Sequence, residues 1–341
     1  MMLRIWRRRP ALLLCFLPLL FAGCDAGSAA QLPTQLPTTV SLLTPDATVA
    51  LSPEPTATPP APSPSATQTL PAASATATPI PPPTETPQST PCAQPGRVEA
   101  ASFTSATAGG EHRYNIYLPP CYPLDGRTYP VLYLLAGNIH DEGKWDELGI
   151  DEAAESAINA GDAPSLLIVM PDGGWLANNT SGGPGSYETL IRDELIPHVE
   201  DAYCAWADPA GRAIGGLSRG GYWALEIAFR SPDRFASAGG HSAALLDSFA
   251  GPAVNPQHTA LNNDLGDLRI YLDIGANDYV RANTIQLHED MQNAGVPHEW
   301  HLNEGEHVDA YWTAHAPDYL AWYVAPWPHD RDAYPPCAAT N

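Results

Sequence analysis

The chain has 341 residues, enough for one large domain or two ordinary ones. It carries 38 acidic against 16 basic side chains, a formal charge of −22, which excludes a phosphate-binding surface and with it a nucleic-acid partner. No Cys-x-x-Cys pair or His-rich cluster has the spacing of a metal site, so no metal or cofactor is expected.

Residues 1–24 open with Arg4 and Arg7 to Arg9 and continue into the apolar run Ala11 to Ala22. That run falls short of the roughly 20 residues needed to span a bilayer. A basic start, a short apolar core and small residues before a break describe an export signal. The break, Leu20-Phe21-Ala22-Gly23-Cys24, resembles the lipobox of bacterial lipoproteins. The resemblance implies cleavage before Cys24, a lipid on that cysteine, and a protein anchored to the cell membrane outside the cytoplasm. A plain secretory signal, releasing the protein, is the other reading. Four of the 16 basic residues leave with the leader, so 12 remain against 38 acidic ones, a balance of −26.

Residues 25–91 are dominated by Pro, Thr, Ser and Ala, with no Lys or Arg. Too little apolar side chain is present to offset the entropy of ordering them. Closely spaced prolines make such a segment an extended, semi-rigid linker. The folded domain is therefore 92–341, a size suited to one α/β domain with a large core. It holds Cys92, Cys121, Cys204 and Cys337. An even number in an exported chain implies disulfides, and four cysteines allow three pairings. A clasp of Cys92 with Cys337, which flank the domain, is the attractive arrangement; it would leave Cys121 with Cys204.

Within the domain, Val98 to Thr104 and His112 to Leu118 predict a hairpin around Gly109-Gly110. Tyr129 to Leu135 is a nearly continuous apolar run, suited to a central strand buried on both faces, and ends in the turn Ala136-Gly137-Asn138. Asp141 to Ala160 has helical spacing, with Trp145, Leu148, Ile150 and Ala153 inward. Ser165 to Met170 is a second buried strand, stopped by Pro171-Asp172-Gly173-Gly174. Trp175 to Gly185, rich in Gly, Asn and Ser, predicts a long loop over a site. Tyr187 to Tyr203 predicts an amphipathic helix, Arg212 to Gly216 a strand, and Gly220 to Arg230 a helix. Strands over Phe235 to Gly240, Arg269 to Ile274 and His298 to Leu302 follow, with helices over Ile285 to Ala294 and Ala310 to Tyr323. This alternation implies an α/β fold, a mostly parallel sheet covered on both faces. Functional residues collect at the carboxyl ends of such strands.

Gly216-Leu217-Ser218-Arg219-Gly220 matches the G-x-S-x-G elbow between a strand and a helix. The turn is so tight that flanking side chains would clash, and the strained serine is lifted clear of the sheet. A hydroxyl is a poor nucleophile until a base takes its proton. In this fold the chain order is Ser, acid, His. Ile270 to Asp278 leaves a strand into a turn, with Asp278 at its tip and the competing Asp273 inside the strand, where it is structural. His307 follows the last strand in Glu304 to Asp309, while His298 and His301 lie within that strand.

From about Val98 to Tyr323 the chain resembles the esterase family that includes esterase D, feruloyl esterases and the mycolyltransferase antigens. The matching stretches are Tyr117 to Tyr122, Tyr129 to Gly137 with Trp145, Arg212 to Gly221, Leu272 to Asp278, and Gly305 to His307 with Tyr311-Trp312. Ala136 stands where members often carry His. The resemblance implies the α/β-hydrolase fold, with Ser218 as nucleophile, Asp278 as acid and His307 as base. It also implies an oxyanion hole from the backbone N–H of Arg219 and one N–H of the Gly137-Asn138 loop, taken as Asn138. The expected activity is hydrolysis of a small-molecule or carbohydrate ester through an acyl-enzyme, with no cofactor. Two alternatives stand beside it: an acyltransferase of the mycolyltransferase kind, and a surface-binding protein on an inactive hydrolase fold. Trp175 is the candidate substrate-binding residue; Trp145 and Trp312 are read as core.

Overall fold

The computed structural model describes residues 92–245 and 250–337. The expected leader, Cys24 and the linker lie outside the described residues, as do residues 246–249. Among the described residues no helix is long and apolar enough to cross a membrane.

Eight strands form one sheet: β1 (Arg97–Ser105), β2 (Gly110–Leu118), β3 (Val131–Leu135), β4 (Leu167–Pro171), β5 (Arg212–Leu217), β6 (Ser237–His241), β7 (Arg269–Gly275) and β8 (Glu299–Asn303). Their order is β1-β2-β4-β3-β5-β6-β7-β8. The β1–β2 hairpin is antiparallel and joins β4 antiparallel; all pairings from β4 to β8 are parallel. The helices are α1 (Lys144–Glu147), α2 (Ile150–Ala160), α3 (Gly174–Asn179), α4 (Tyr187–Thr189), α5 (Ile196–Ala202), α6 (Arg219–Arg230), α7 (Pro256–Asn262), α8 (Arg281–Ala294) and α9 (Asp309–Val324).

The run over β3 is apolar throughout because the strand is covered on both sides. Val131, Tyr133 and Leu135 face one core with Ile196, Trp223, Phe229 and Leu287, while Leu132 and Leu134 face another with Trp145, Ile150 and Tyr323. The two-residue period of a strand sends alternate side chains to opposite faces. Trp145 and Trp312 are buried in the second core, as expected.

Local structure departs from expectation in three places. The single helix expected over Asp141 to Ala160 is broken at Gly149, whose φ of 83° only glycine adopts readily, and becomes α1 and α2. The helix expected over Tyr187 to Tyr203 contains a six-residue π-helical stretch, Leu190–Leu195. The segment expected to be wholly loop after Trp175 starts as helix α3.

The cysteines pair as Cys92–Cys121 and Cys204–Cys337. This corrects the expected end-to-end clasp. After α9 the chain does not travel to Cys92; it returns along the entry to β3. There the N–H of Thr128 donates to Pro335 O and that of Cys337 to Gly126 O, while the N–H of Tyr129 donates to Cys204 O. The Arg331 guanidinium lies 4.0 Å over the Tyr129 ring and pairs with Asp125. Cys337 is thereby delivered to Cys204, and Cys92 closes only a short local loop.

Candidate active site

Ser218 lies between β5 and α6, with φ at 54°. Its N–H donates to His241 O on the neighbouring strand, and its carbonyl accepts from Ala244 N–H, both at 2.9 Å. The elbow depends on two glycines. A Cβ on Gly216 would lie 2.3 Å from the Gly220 carbonyl, and one on Gly220 would lie 2.1 Å from the Leu135 carbonyl oxygen. Both obstacles are backbone, which cannot swing aside. The described residues contain four non-glycine residues at positive φ, and Ile139, Ser218 and Ser242 sit at the ends of β3, β5 and β6. Backbone strain is thus concentrated around one point, as at functional sites generally.

The loops after β7 and β8 bring two further groups to that point. His307 Nε2 is 2.8 Å from Ser218 Oγ, and His307 Nδ1 is 2.8 Å from Asp278 Oδ2. Asp278 is fully buried, and its Oδ1 accepts the Val280 N–H at 2.8 Å. The imidazole is flanked by Trp312, edge-on at 5.0 Å, and Tyr279, tilted at 4.7 Å. Ser218, His307 and Asp278 therefore form one continuous hydrogen-bonded chain.

Asp273 makes no part of it. It is a residue of β7, and its buried carboxylate lies 2.8 Å from His241 Nδ1 and accepts from the Tyr311 and Tyr319 hydroxyls at 2.7 and 2.8 Å. Burial first, and the Asp273 charge second, push both tyrosine hydroxyls well above their ordinary pKa, so they stay protonated donors. His241 Nε2 completes the network 3.0 Å from the Tyr323 hydroxyl. Sequence reasoning missed this second Asp–His pair, because His241 lay at the end of a Gly-rich strand with nothing to distinguish it. His298 and His301 are engaged elsewhere: His298 Nε2 with His288, and His301 Nε2 with Glu299, each at 2.8 Å.

A cavity of about 500 Å³ opens at Ser218 and is bordered by Asn138, Asn179, Thr180, Arg219 and Tyr279 among others. Arg219 is the first residue of α6, so its N–H is one of the donors that a helix leaves unpaired at its start. Asn138 follows β3 where the Gly137 carbonyl accepts His140 N–H. Among the described residues Arg219 is the one charged group in the cavity lining, and its guanidinium is engaged inside the protein. Nε donates to Ala177 O at 3.0 Å and Nη2 to Thr180 O at 2.5 Å, with the plane 4.3 Å over the Tyr222 ring. These contacts fix the cavity wall. Ile139, Tyr279 and Val308 are exposed by 87%, 77% and 45%, and each directly follows Asn138, Asp278 or His307, giving the site an apolar rim. Other hollows of about 520 and 590 Å³ are lined by neither Ser218, Asp278 nor His307.

Trp175 is not in this cavity. It is 70% exposed and borders a separate depression with His112 and Asp172. The reason is α3: helical winding puts Asn178, Asn179 and Thr180, rather than Trp175, against Ser218.

Behind the cavity wall lies a buried charge cluster that the sequence did not announce. Glu226 on α6 is fully buried, contacts Arg230 at 3.0 Å, and has Glu188 beside it bridged to Arg192 and Arg230. Burial and the Glu188 charge push Glu226 up to about 9, so it holds a proton at neutral pH. Unfolded, it would lose that proton near its ordinary value of about 4.5. The folded state then binds more protons, and stability falls as pH rises from about 4.5 to about 9. Glu226→Gln, which keeps an acceptor for Arg230, is expected to flatten that fall. Its stability advantage over the parent should grow between pH 5 and 9 by up to about 1 kcal/mol per pH unit. Urea unfolding at three pH values measures this, and parallel pH profiles would refute it.

Residues 105–323 match the model of the family described as "Putative esterase". Esterase Rv1288 of Mycobacterium tuberculosis is 32% identical over 255 residues, covering 60% of this chain and 54% of that protein. An endo-1,4-beta-xylanase/feruloyl esterase of Xylanibacter ruminicola is 31% identical over 151 residues, 41% of this chain and 20% of that one. The chain thus spans about half the length or less of these curated relatives. Among solved structures, a ferulic acid esterase superposes with a TM-score of 0.62 at 25% identity, covering 68% of this chain and 98% of the other. The S-formylglutathione hydrolase of Staphylococcus aureus superposes at 0.56 with 19% identity, over 67% and 99% of the two chains, and shows the shared fold. The sheet order, the elbow and these likenesses agree on the α/β-hydrolase fold, and the chain belongs to this esterase family.

Proposed function

We propose that the protein is an extracytoplasmic serine esterase that hydrolyses a carboxylic ester through an acyl-enzyme on Ser218. The observation that carries this reading is the unbroken chain from Ser218 Oγ through His307 to the buried Asp278, at 2.8 Å on each side of the imidazole.

Each group has a role set by its position. His307 Nε2 accepts the hydroxyl proton as Ser218 attacks the ester carbonyl. Asp278 accepts Nδ1–H, which fixes the tautomer that leaves Nε2 free and stabilises the imidazolium that forms. The N–H groups of Arg219 and Asn138 receive the tetrahedral oxyanion; one such donor contributes about 3 kcal/mol. His307 then returns its proton to the departing alcohol, and water enters by the same route to release the acid.

Both disulfides favour an oxidising compartment. Together with the leader they support a mature protein that begins at Cys24, is held by lipid there, and carries its hydrolase domain at 92–341 on the linker 25–91.

A fluorophosphonate probe tests the nucleophile directly. The folded protein should take up one label on Ser218, and Ser218→Ala should take up none. Folded parent protein that resists labelling would overturn the assignment.

A further inference from the structure

Thr180 and Ser181 line the cavity at Ser218 and open the segment Thr-Ser-Gly-Gly-Pro-Gly-Ser, residues 180–186. The segment contains no large apolar side chain, so packing into the core cannot hold it. One stripe of α6 does. Arg219, Tyr222, Glu226 and Arg230 follow one another at three- and four-residue spacing, which places them on one face of the helix. Arg219 Nη2 donates to Thr180 O at 2.5 Å, and the Tyr222 hydroxyl to Ser181 O at 2.7 Å. Gly182 comes next, wedged against Glu226. A Cβ there would lie 2.1 Å from Glu226 Oε1 and 2.8 Å from Val254 Cβ, at a φ of 126°. Gly183 N–H then donates to Glu188 Oε2 at 2.6 Å, and its carbonyl accepts the Ser186 hydroxyl at 2.6 Å. The loop is carried residue by residue on side chains of α6 and α4.

Glu226 is the unusual member of that row. It is fully buried, its Oε1 meets Arg230 at 3.0 Å, and its Oε2 has no hydrogen-bond partner in the protein. Among the described residues, the groups facing it are Glu188 from α4, Arg192 from the π-helical stretch, and Arg219, Tyr222 and Arg230 from its own helix. The 180–186 loop and Val254 bring no charge, and His258 of α7 is exposed. Glu188 bridges Arg192 and Arg230, and Asp193 also pairs with Arg192. Ionised, Glu226 would set a second carboxylate against Glu188 with one oxygen lacking a donor, a costly arrangement in the interior. Neutral, it rests against Gly182 and Glu188 without repulsion.

We propose that Glu226 is a positioning residue for the esterase reaction: through Gly182 and Glu188 it seats the 180–186 loop as a wall of the cavity, and so sets substrate affinity without touching substrate. This role rests on Ser218 being the nucleophile of that cavity. Because α6 begins at Arg219, directly after Ser218, wall and nucleophile are fixed to one rigid element. Losing the carboxyl lets the wall retreat into the space vacated. Contacts shared by ground state and transition state weaken, so KM rises and kcat stays. Ionisation acts in the same direction, because like charge drives Glu188 from the Gly183 N–H. Burial first, and the Glu188 charge second, push Glu226 up to about 9. The seat is therefore intact at neutral pH and is lost as pH rises through about 9. The proton on Glu226 and the substrate in the cavity are then coupled, by about fivefold or more.

Initial rates with p-nitrophenyl acetate, p-nitrophenyl butyrate and α-naphthyl butyrate between about pH 6 and pH 10 test this, each variant being checked by its melting curve. Parent KM should be level to about pH 8 and rise about fivefold by about pH 10 while kcat holds. Glu226→Gln keeps an acceptor for Arg230 and a donor for Glu188 without titrating, and should abolish the rise. Glu226→Ala and Gly182→Ala should each raise KM for the larger esters about fivefold or more at pH 7, with kcat within about twofold of the parent. Gly182→Ala alters a loop residue and leaves the core intact, so it decides the matter should Glu226→Ala fail to fold. Unchanged KM for all three esters in a folded Glu226→Ala or Gly182→Ala protein overturns the proposal, as does an alkaline rise that persists in Glu226→Gln. A folded parent that hydrolyses none of the esters and takes up no fluorophosphonate overturns the esterase reading itself, and this role with it.

Discussion

Ser218→Ala is expected to lower kcat/KM for a small neutral ester such as p-nitrophenyl acetate by about 10⁴- to 10⁶-fold without lowering the melting temperature. The size follows from what the hydroxyl does: Ser218 Oγ is the group that His307 Nε2 meets, at 2.8 Å. The stability half follows from packing. The positive φ of Ser218 is borne equally by alanine, and the elbow is held by backbone bonds to His241 and Ala244 that the substitution leaves in place. His307→Ala should cost as much, and the double variant little more, because residues that act as one unit lose their effect together. Rate measurements on the three variants decide it. A single variant retaining a tenth of the parent rate, or losses that multiply in the double, would mean that the pair does not work as a unit.

What the sequence made legible was what physics ties to strand ends. Ser218, Asp278 and His307 each lie in the turn or loop that follows a parallel strand, and a parallel sheet has no choice but to bring those ends to one side. The apolar runs of β3 and β4 were legible for a related reason, since a strand covered on both faces cannot alternate. The cysteine pairing was not legible. It depends on the path of residues 325–337, and that path is set by tertiary contacts of Arg331 and Thr128 that leave no local pattern. Trp175 was placed over the wrong hollow because Gly173-Gly174 reads as a break, whereas the chain resumes as helix at once and turns the indole away. Helix α7 had a signal that went unused: Asn255 caps it by accepting Gln257 N–H at 3.0 Å, and Pro256 is its first residue, the standard entry to a helix. The buried Glu226 and His241 had no signal, because a charged or titratable residue inside a core is explained only by partners distant in sequence.

The two Asp–His pairs should separate cleanly by substitution. Asp278→Asn is expected to lower kcat by about 10³- to 10⁴-fold while leaving the fold stable. The amide presents N–H to Nδ1 and favours the tautomer that protonates Nε2, so the imidazole can no longer accept the Ser218 proton; the Oδ1 bond from Val280 N–H survives in the amide oxygen. Asp273→Ala is expected to do the reverse. It strips the partner from His241 Nδ1 and from the Tyr311 and Tyr319 hydroxyls at one stroke, in a region without water access. Leaving several buried polar groups unpaired costs about 3–5 kcal/mol, or about 10 °C of melting temperature in a domain of this size. The protein still folded at low temperature should keep kcat within about tenfold of the parent, since the His307–Asp278 bond does not pass through Asp273. Melting curves and single-substrate kinetics on the two variants give four numbers. A rate collapse in folded Asp273→Ala, with activity retained in Asp278→Asn, would move the acid of the site from the turn back into the strand.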